Sequence, residues 1–224
     1  MKEKGISRQS LPTGTAGGRA QRGFTVVELL VAMAIILILG AMAIPGYRRT
    51  VQYLRLSGDM RDINGLVAQA KMRAAADFTH ARVYADLNAN TFHLEVWNKT
   101  NSCWQTDGDP THNCTVAGTS PAIPLSLGVS FGFGSVSTGN PNPQTTIAQA
   151  ANCTDNSGSN ISSTACIVFN SRGIPIDSNN VPMTGAQDAF YITDRRSVWG
   201  LTVRAPGAIQ IWSSPASTTS WMRR

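Results

Sequence analysis

The chain has 224 residues, of which 42% are hydrophobic and 14% are charged, with 20 Gly, 11 Pro and 4 Cys. This composition excludes intrinsic disorder and a collagen-like fibre, and the length is that of one domain or at most two. The formal net charge of +6 is concentrated at the N-terminus, because residues 1–23 contain five basic side chains and one acidic side chain, Glu3. We therefore do not interpret the basic charge as a nucleic-acid-binding surface on the folded part.

A long apolar segment follows this basic region. Residues 24–44 read FTVVELLVAMAIILILGAMAI and contain one charged residue, Glu28. A helix of this length spans about 31 Å, which matches the hydrocarbon core of a bilayer, and a buried helix of a soluble protein is rarely so apolar on every side. We predict a transmembrane helix over residues 24–45. Its N-terminus is expected in the cytoplasm, because five basic residues lie in the 23 residues before the segment and three, Arg48, Arg49 and Arg55, lie close behind it.

The junction between the two regions has a recognisable pattern. Residues 21–30 read QRGFTVVELL, which resembles the prepilin cleavage and methylation motif of type IV pilins and type II secretion pseudopilins. The shared features are a basic leader, Gly23 before the aromatic Phe24, Glu28 as the fifth residue after the glycine, and an apolar helix that starts at once. The resemblance implies that a prepilin peptidase removes residues 1–23 between Gly23 and Phe24 and that the new Phe24 amine is methylated.

Glu28 needs a physical explanation, because an ionised carboxylate within a bilayer costs about 2.5 to 3.5 kcal/mol on insertion scales. One account places it in the first turn of the helix, where the helix dipole favours an acid and the side chain reaches interfacial water. The resemblance implies a second account, in which Glu28 pairs with the charged Phe24 amine of a neighbouring subunit during filament assembly. The two accounts are compatible, and we favour the assembly role.

Residues 46–76 are predicted to continue the helix as an amphipathic segment. Gly40 weakens the helix locally and Pro45 removes one backbone hydrogen bond, so we expect a bend or a melted turn near these residues. Beyond them, apolar residues recur at spacings of three and four, with charged residues between them. The predicted buried positions are Tyr47, Val51, Leu54, Met60, Ile63, Val67, Ala70 and Ala74.

Residues 77–224 are predicted to form a β-rich head. Alternating apolar residues predict a hairpin with strands near 83–87 and 92–96. The same alternation predicts a longer strand over residues 125–133, LSLGVSFGF, in which Leu127 is among the buried side chains. Further strands are expected at 166–170, 189–193, 197–203 and 208–212. A turn at Pro206-Gly207 joins the last two in an antiparallel meander. Residues 134–165 are predicted to be irregular.

The order of these elements narrows the resemblance. The chain is predicted to have one long helix, a hairpin, a β-rich body and two final strands, and it contains FNSRGIP at 169–175 and VWGLTVRAPGAIQIW at 198–212. This order resembles that of the minor pseudopilin GspH and minor pilin FimT group. The resemblance implies an α+β pilin-like fold, in which the long N-terminal helix packs on an antiparallel β-rich head. It also implies a single-pass inner-membrane location with the head outside the cytoplasm, and an inner-membrane assembly platform and other pilin or pseudopilin subunits as partners.

The four cysteines, Cys103, Cys114, Cys153 and Cys166, all follow the membrane segment. An extracytoplasmic location makes disulfides plausible, and four cysteines allow three connectivities, of which the local pairing would close two polar loops. A zinc site that includes His112 is disfavoured, because no C-x-x-C occurs. Asp107 and Asp109 lack EF-hand spacing, so a solvated turn is preferred to a calcium site and no metal is predicted.

An enzymatic function and a cofactor are not predicted. His80, His93 and His112 have no nucleophile motif nearby, no G-x-S-x-G occurs, and His93 is expected on an exposed strand face. The alternative function that we consider is DNA capture by a minor pilin during natural DNA uptake. The candidate phosphate contacts are Arg195, Arg196, Arg204, Arg223 and Arg224. The competing account, which we favour, is that these arginines lie in solvated turns and a frayed tail.

Overall fold

The computed structural model describes residues 23–108, 114, 122–137, 147–183, 188–205, 207–217 and 220–224. The chain forms two compact units, Met1–Pro45 and Gly46–Arg224. One helix, α1 (Val26–Ala76), contributes residues to both units, and the antiparallel strands β1–β11 follow it in the second unit. A long helix followed by antiparallel strands confirms the predicted α+β class.

The part of α1 in the first unit is helical without interruption. Gly40 and Pro45 both lie inside the helix, so a melted turn is absent at these positions. The bend expected near them stays a prediction. Proline is tolerated here because no side chain of the described chain packs on this segment, so a missing backbone donor leaves no buried group unpaired.

The part of α1 in the second unit buries one face. The buried apolar residues recur every three or four positions, which confirms the predicted amphipathic pattern from Met60 onward; they are Leu56, Met60, Ile63, Val67, Ala70 and Ala74. The predicted burial of Tyr47 and Leu54 is wrong, since both side chains are exposed. Leu54 precedes Leu56 by two residues and therefore points about 160° away from it around the helix.

Two antiparallel sheets form the rest of the second unit. Sheet A has the order β3-β2-β1-β6-β7, with β4 also paired to β2, and sheet B has the order β11-β10-β9-β8-β5. The strands of sheet A are β1 (Ala81–Asp86), β2 (Thr91–Asn98), β3 (Cys103–Thr106), β4 (Ile123–Pro124), β6 (Thr164–Phe169) and β7 (Pro175–Ile176). The strands of sheet B are β5 (Ser130–Phe131), β8 (Asp188–Thr193), β9 (Ser197–Val203), β10 (Ile209–Pro215) and β11 (Met222–Arg223).

The hairpin and the meander agree with the sequence prediction. Strands β1 and β2 pair in register from Ala81 opposite Val96 to Asp86 opposite Thr91, and β8, β9 and β10 form consecutive antiparallel pairs. The inner faces of both sheets and the buried face of α1 share one hydrophobic core. Of the predicted irregular region, 134–165, the described residues 134–137 and 147–163 contain no strand, residues 164–165 already belong to β6, and 138–146 lie outside the described residues.

The predicted strand over residues 125–133 is wrong for most of its length. Only Ser130–Phe131 pair with a neighbouring strand, β8. Residues 126–129 form a turn instead, in which Gly128 has a φ of +86° and the Val129 N–H donates to the Ser126 carbonyl at 2.9 Å. A positive φ is incompatible with a strand, so the apolar side chains from Leu125 onward do not all point to one face of a sheet. The Leu127 side chain is exposed.

Gly200 in β9 is required by the packing of its neighbour. A Cβ atom at this position would lie 2.6 Å from Cε1 of Tyr191, which is the cross-strand partner of Gly200 in β8. The Tyr191 ring is buried and is flanked by Phe133 and Trp221, each with its ring centroid 5.8 Å away. The ring therefore lies over Gly200 and has no free space into which it can move.

We expect Gly200→Ala to lower the free energy of unfolding by about 1 to 3 kcal/mol, because the added methyl group overpacks the Tyr191 ring. The matched control is Gly65→Ala on the exposed side of α1, where a Cβ atom would meet nothing within 4 Å and helix propensity improves. Urea unfolding of the detergent-solubilised chain, followed by Trp fluorescence, measures both. Equal stability of Gly200→Ala and wild type would contradict the packing argument.

Two further glycines meet at Lys71 of α1. Gly173 and Gly207 both have positive φ, at +70° and +74°, and the Lys71 Nζ donates to the Gly207 carbonyl at 3.0 Å. A Cβ atom on Gly207 would lie 2.7 Å from the Gly173 carbonyl oxygen. The turn after β6 and the turn after β9 therefore approach each other closely on α1, and only residues without a side chain permit this approach.

Candidate functional site

The residues next to the predicted cleavage point start the long helix. Gly23, Phe24 and Thr25 precede α1, and the Phe24 side chain is 83% exposed. The Thr25 Oγ1 accepts a hydrogen bond from the Glu28 N–H at 3.2 Å, and the Thr25 carbonyl accepts one from the Leu29 N–H at 3.2 Å. Thr25 is thus the N-cap and Glu28 is at position N3, which are the residue types and spacing of a capping box.

The helix that begins here has an apolar surface that the chain itself does not cover. Among the described residues, α1 is the one helix that is long and apolar enough to cross a membrane. None of its most apolar stretch is buried. Every large apolar side chain from Val26 to Ile44 is exposed. An apolar surface of this extent requires either lipid or the helices of other molecules around it.

Glu28 is the one charged residue within this apolar surface. Its backbone N–H is bonded to Thr25, while its carboxylate forms no ion pair or hydrogen bond with another described residue. The position in the first turn of α1 suits a negative charge, since the helix dipole is positive there.

Asp107, one of the two acids considered for calcium, is bound to α1. Its carboxylate accepts a hydrogen bond from Arg73 Nη2 at 2.6 Å and a longer one from Gln69 Nε2 at 3.3 Å. The hydrogen bond to Asp107 raises the pKa of Arg73. Asp109 and His112 lie outside the described residues, and the described part of the chain has no group of three potential metal ligands.

An open cleft of about 590 Å³ lies next to this ion pair. Its charged lining residues are Arg73, Asp77, Lys99 and Asp107, two basic and two acidic. Arg73 also lies 3.6 Å from Asp77, so both acids are already close to a cation. The cleft therefore has no excess of either charge with which to attract an ionic ligand.

The four cysteines form two local disulfides. Cys103 is bonded to Cys114 and Cys153 is bonded to Cys166, which is the local pairing among the three connectivities that the sequence left open. The second disulfide packs against Tyr84 on the outer face of sheet A. Each disulfide closes a loop of about a dozen residues, for which loop-closure entropy alone predicts a stabilisation near 3 kcal/mol.

A buried ionic cluster lies on the same outer face. Arg82 Nε donates to Glu95 Oε2 on the neighbouring strand, and His93 Nε2 lies 3.1 Å from Glu95 Oε1. Arg82 Nη1 donates to the Thr154 carbonyl at 2.7 Å, and its guanidinium lies 3.9 Å from the centroid of the Trp104 ring. All three ionisable side chains are almost fully buried, and we name them the Arg82–Glu95–His93 cluster.

The exposed position expected for His93 is wrong. The imidazole stacks on Tyr84 at 5.0 Å, and its Nδ1 has no hydrogen-bond partner among the described residues. His93 does lie on the outer face of the sheet, but the Thr154 segment and the Cys153–Cys166 disulfide pack on that face. Strand alternation reports which face a residue is on, and it does not report what covers that face.

The charges of the Arg82–Glu95–His93 cluster depend on one another. Burial lowers the pKa of Arg82, and the attraction of Glu95 opposes this effect. Burial would raise the pKa of Glu95, but the hydrogen bond from His93 and the attraction of Arg82 hold it below its usual value. Glu95 therefore stays ionised at neutral pH, and loss of either partner would leave a buried charge without compensation.

Asp188 at the start of β8 is another buried acid that the sequence did not single out. Its side chain is 4% exposed, and its Oδ2 has no hydrogen-bond partner among the described residues. Burial, with a smaller contribution from the negative charge of Asp177, raises the pKa of Asp188 to about 7. The protonated form is therefore favoured in the folded state.

We expect the chain to lose stability as the pH rises from about 4 to 7, because the folded pKa of Asp188 is above its unfolded value of 3.8. Its contribution is fully present below pH 3.8 and is lost as the pH passes the folded pKa. Asp188→Asn should remove this dependence, and Asp62→Asn on the exposed side of α1 should retain it. Thermal unfolding midpoints at pH 4 and pH 8 test this, and an unchanged difference in Asp188→Asn would contradict it.

The five arginines considered for DNA contact are not brought together. Arg195 and Arg196 lie in the turn before β9, whereas Arg204 follows β9, whose seven residues span about 23 Å. Arg223 lies in β11 opposite Trp212. Arg224 Nε donates to Ser213 Oγ at 2.8 Å. The described structure therefore gives no single basic patch for a nucleic-acid backbone.

Comparison with known proteins identifies the N-terminal region. Residues 18–44 match the family model of the prokaryotic N-terminal methylation motif. The chain is also similar to a solved structure of the minor pseudopilin EpsH from the Type 2 Secretion System of Vibrio cholerae, with 12% identity and a TM-score of 0.40 over 70% of this chain and 95% of that chain. No curated protein sequence is significantly similar to this chain.

Proposed function

We propose that the chain is a minor pilin or pseudopilin of the prepilin-like superfamily, because residues 18–44 match the prokaryotic N-terminal methylation motif. In this proposal it is a structural subunit of a type IV pilus or a type II secretion pseudopilus. The proposal rests on the apolar helix that begins at the methylation motif. None of the most apolar stretch of this helix is buried by the described part of the chain. Assembly with other pilin-type subunits gives that surface a partner.

Processing converts the precursor into the assembling form. The prepilin peptidase cuts between Gly23 and Phe24, removes residues 1–23 and methylates the Phe24 amine. Residues 24–45 then hold the protein in the inner membrane as a single span, with the N-terminus in the cytoplasm. Residues 46–76 continue as the amphipathic half of the helix, and residues 77–224 form the head outside the cytoplasm. An inner-membrane assembly platform moves the subunit from the lipid into the filament.

The capping geometry suits this use of the N-terminus. Thr25 satisfies the Glu28 N–H, so the helix starts at Val26, two residues after the future terminal residue Phe24. The Glu28 carboxylate is left without a partner in the described residues. We propose that it receives the charged Phe24 amine of a neighbouring subunit, because both charges are otherwise unpaired among apolar helices.

Within the superfamily we place the chain with the GspH and FimT group. Support comes from the two segments whose order resembles that group, 169–175 and 198–212. Gly173, Gly200 and Gly207 within them are each required by a close approach of Lys71, Tyr191 or a neighbouring turn. These segments therefore connect the two sheets to α1 and determine the packing of the head.

Replacement of Gly23 tests the processing step. In Gly23→Ala, or with a larger residue, we expect cleavage to fall about 100-fold, because a side chain misplaces the scissile bond in the peptidase. Gly46→Ala is the matched control within α1, where a Cβ atom has open space. N-terminal sequencing and intact mass of material from the producing cells measure the result. A native terminus other than Phe24, or a helix that has been removed, would contradict the proposal.

A further inference from the structure

A small loop, residues 153–161, lies over the Arg82–Glu95–His93 cluster on the outer face of sheet A. The two ends of the loop are joined by a hydrogen bond of 2.7 Å from the Ile161 N–H to the Cys153 carbonyl. Inside the loop, Asp155 Oδ1 accepts hydrogen bonds from two backbone N–H groups, both at 2.8 Å. All of these bonds lie within the loop, so they shape it without fastening it to the sheet.

Beyond its base, the loop makes two hydrogen bonds to sheet A among the described residues. Arg82 Nη1 donates to the Thr154 carbonyl at 2.7 Å, and the Trp104 N–H donates to Asn156 Oδ1 at 2.9 Å. Under the loop, Arg82 is paired with Glu95, and the two residues are 3% and 1% exposed. The cost of desolvating both charges opposes this position of the loop, because the ions regain water when the loop lifts.

The disulfide at the base is the covalent link between the loop and the sheet. Residues 155–160 are exposed, and Cys153 is the one fully buried residue of the loop, with Ile161 partly buried beside it. The bond from Cys153 to Cys166 of β6 is accompanied by a hydrogen bond of 3.0 Å from the Cys153 N–H to Thr164 Oγ1. A segment with so few buried apolar contacts opens locally at low cost. The disulfide is therefore the main restraint on the loop.

We propose that the Cys153–Cys166 disulfide is a redox latch that closes the 153–161 loop over the Arg82–Glu95 ion pair. With two thiols the loop lifts and water reaches Arg82; with the disulfide the loop stays closed and the pair stays dry. Closure is a two-electron oxidation, in which both thiols lose their protons, the S–S bond forms and an oxidant of the disulfide class is reduced to a dithiol. The closed head therefore forms only in an oxidising compartment.

Solvent exchange of the Arg82 Nε–H, followed by NMR of the detergent-solubilised full chain, tests the latch. In Cys153→Ser with Cys166→Ser we expect this exchange to rise at least about tenfold, while the backbone amides of β8 and β9 keep their rates. The matched control, Cys103→Ser with Cys114→Ser, removes the other local disulfide and should stay within about threefold of wild type. An unchanged rate in the first variant, or an equal rise in both variants, would overturn the latch. Loss of protection throughout β8 and β9 would also overturn it, because the disulfide would then stabilise the whole head.

Two further variants separate the latch from ordinary packing. Asn156→Ala removes a loop contact but keeps the disulfide, so exchange of the Arg82 Nε–H should stay within about threefold of wild type. Adding Arg82→Met and Glu95→Leu to the cysteine variant removes the charges that favour hydration. Exchange of the Trp104 N–H, which is expected to be fast in the cysteine variant, should then return to within about threefold of wild type. A tenfold rise in Asn156→Ala, or no recovery after removal of the charges, would refute the proposal.

Discussion

Replacement of Glu28 by Leu is expected to leave cleavage at Gly23 intact and to remove the protein from filaments. In the assembled bundle the Phe24 amine of a neighbour would lose its carboxylate partner. An unpaired buried charge costs about 3 to 5 kcal/mol, which corresponds to a loss of more than about 100-fold in incorporation. Quantitative immunoblotting of membrane and filament fractions, together with intact mass for the cleaved terminus, measures both effects.

Glu28→Gln separates charge from shape, because the amide has the size of the carboxylate and keeps the T-x-x-E/Q capping pattern with Thr25. We expect it to behave like Glu28→Leu in filaments. Leu29→Met is the matched control next to it, and it should assemble like wild type because it changes only an exposed apolar side chain. Full incorporation of Glu28→Gln would show that the carboxylate has no charged partner in the filament.

The second large effect is expected at Glu95. Glu95→Gln should lower the free energy of unfolding by about 3 to 5 kcal/mol, because Arg82 would remain buried without its counter-ion. Asp62→Asn on the exposed side of α1 is the matched control and should change stability by less than about 0.5 kcal/mol. Urea unfolding of the detergent-solubilised chain measures the difference. Equal stability of both variants would show that the Arg82–Glu95–His93 cluster contributes nothing.

A double variant tests whether the pair acts as a unit. Arg82→Met with Glu95→Leu removes both charges and should be more stable than Glu95→Gln alone, because no unpaired charge remains. The pH dependence has a defined sign. The folded pKa of Glu95 is below its unfolded value of 4.5, so its contribution is present above about pH 4.5 and is lost as the pH falls through the folded pKa. The Glu95→Gln variant should lack this acid-side loss.

The Arg82–Glu95–His93 cluster can be predicted from the sequence only in part. The predicted hairpin brings β1 and β2 together, and its register places Arg82 directly opposite Glu95. The pairing of the two charges therefore follows from local information. Their burial does not, because the cover comes from Thr154, which lies 72 residues after Arg82 in the chain.

The turn at Leu127 shows the opposite case. Alternation over residues 125–133 predicts a strand, and the local sequence contains no signal against it apart from glycines. Asp59, 67 residues earlier, accepts both hydrogen bonds from Ser126 and stabilises the turn. A side chain on the helix thus decides the conformation of a distant segment, and propensity within that segment cannot report such a contact.

The sequence by itself determined the features that depend on neighbours along the chain: the methylation motif at Gly23 and Phe24, the apolar helix and its buried face from Met60 onward. These depend on hydropathy, helical period and a short motif, which are all readable within a few dozen residues. Only the tertiary structure decided which outer faces are covered, which glycines are required and where Leu127 points. Those features arise where segments far apart in sequence meet, and contact at that distance is set by packing of the whole head.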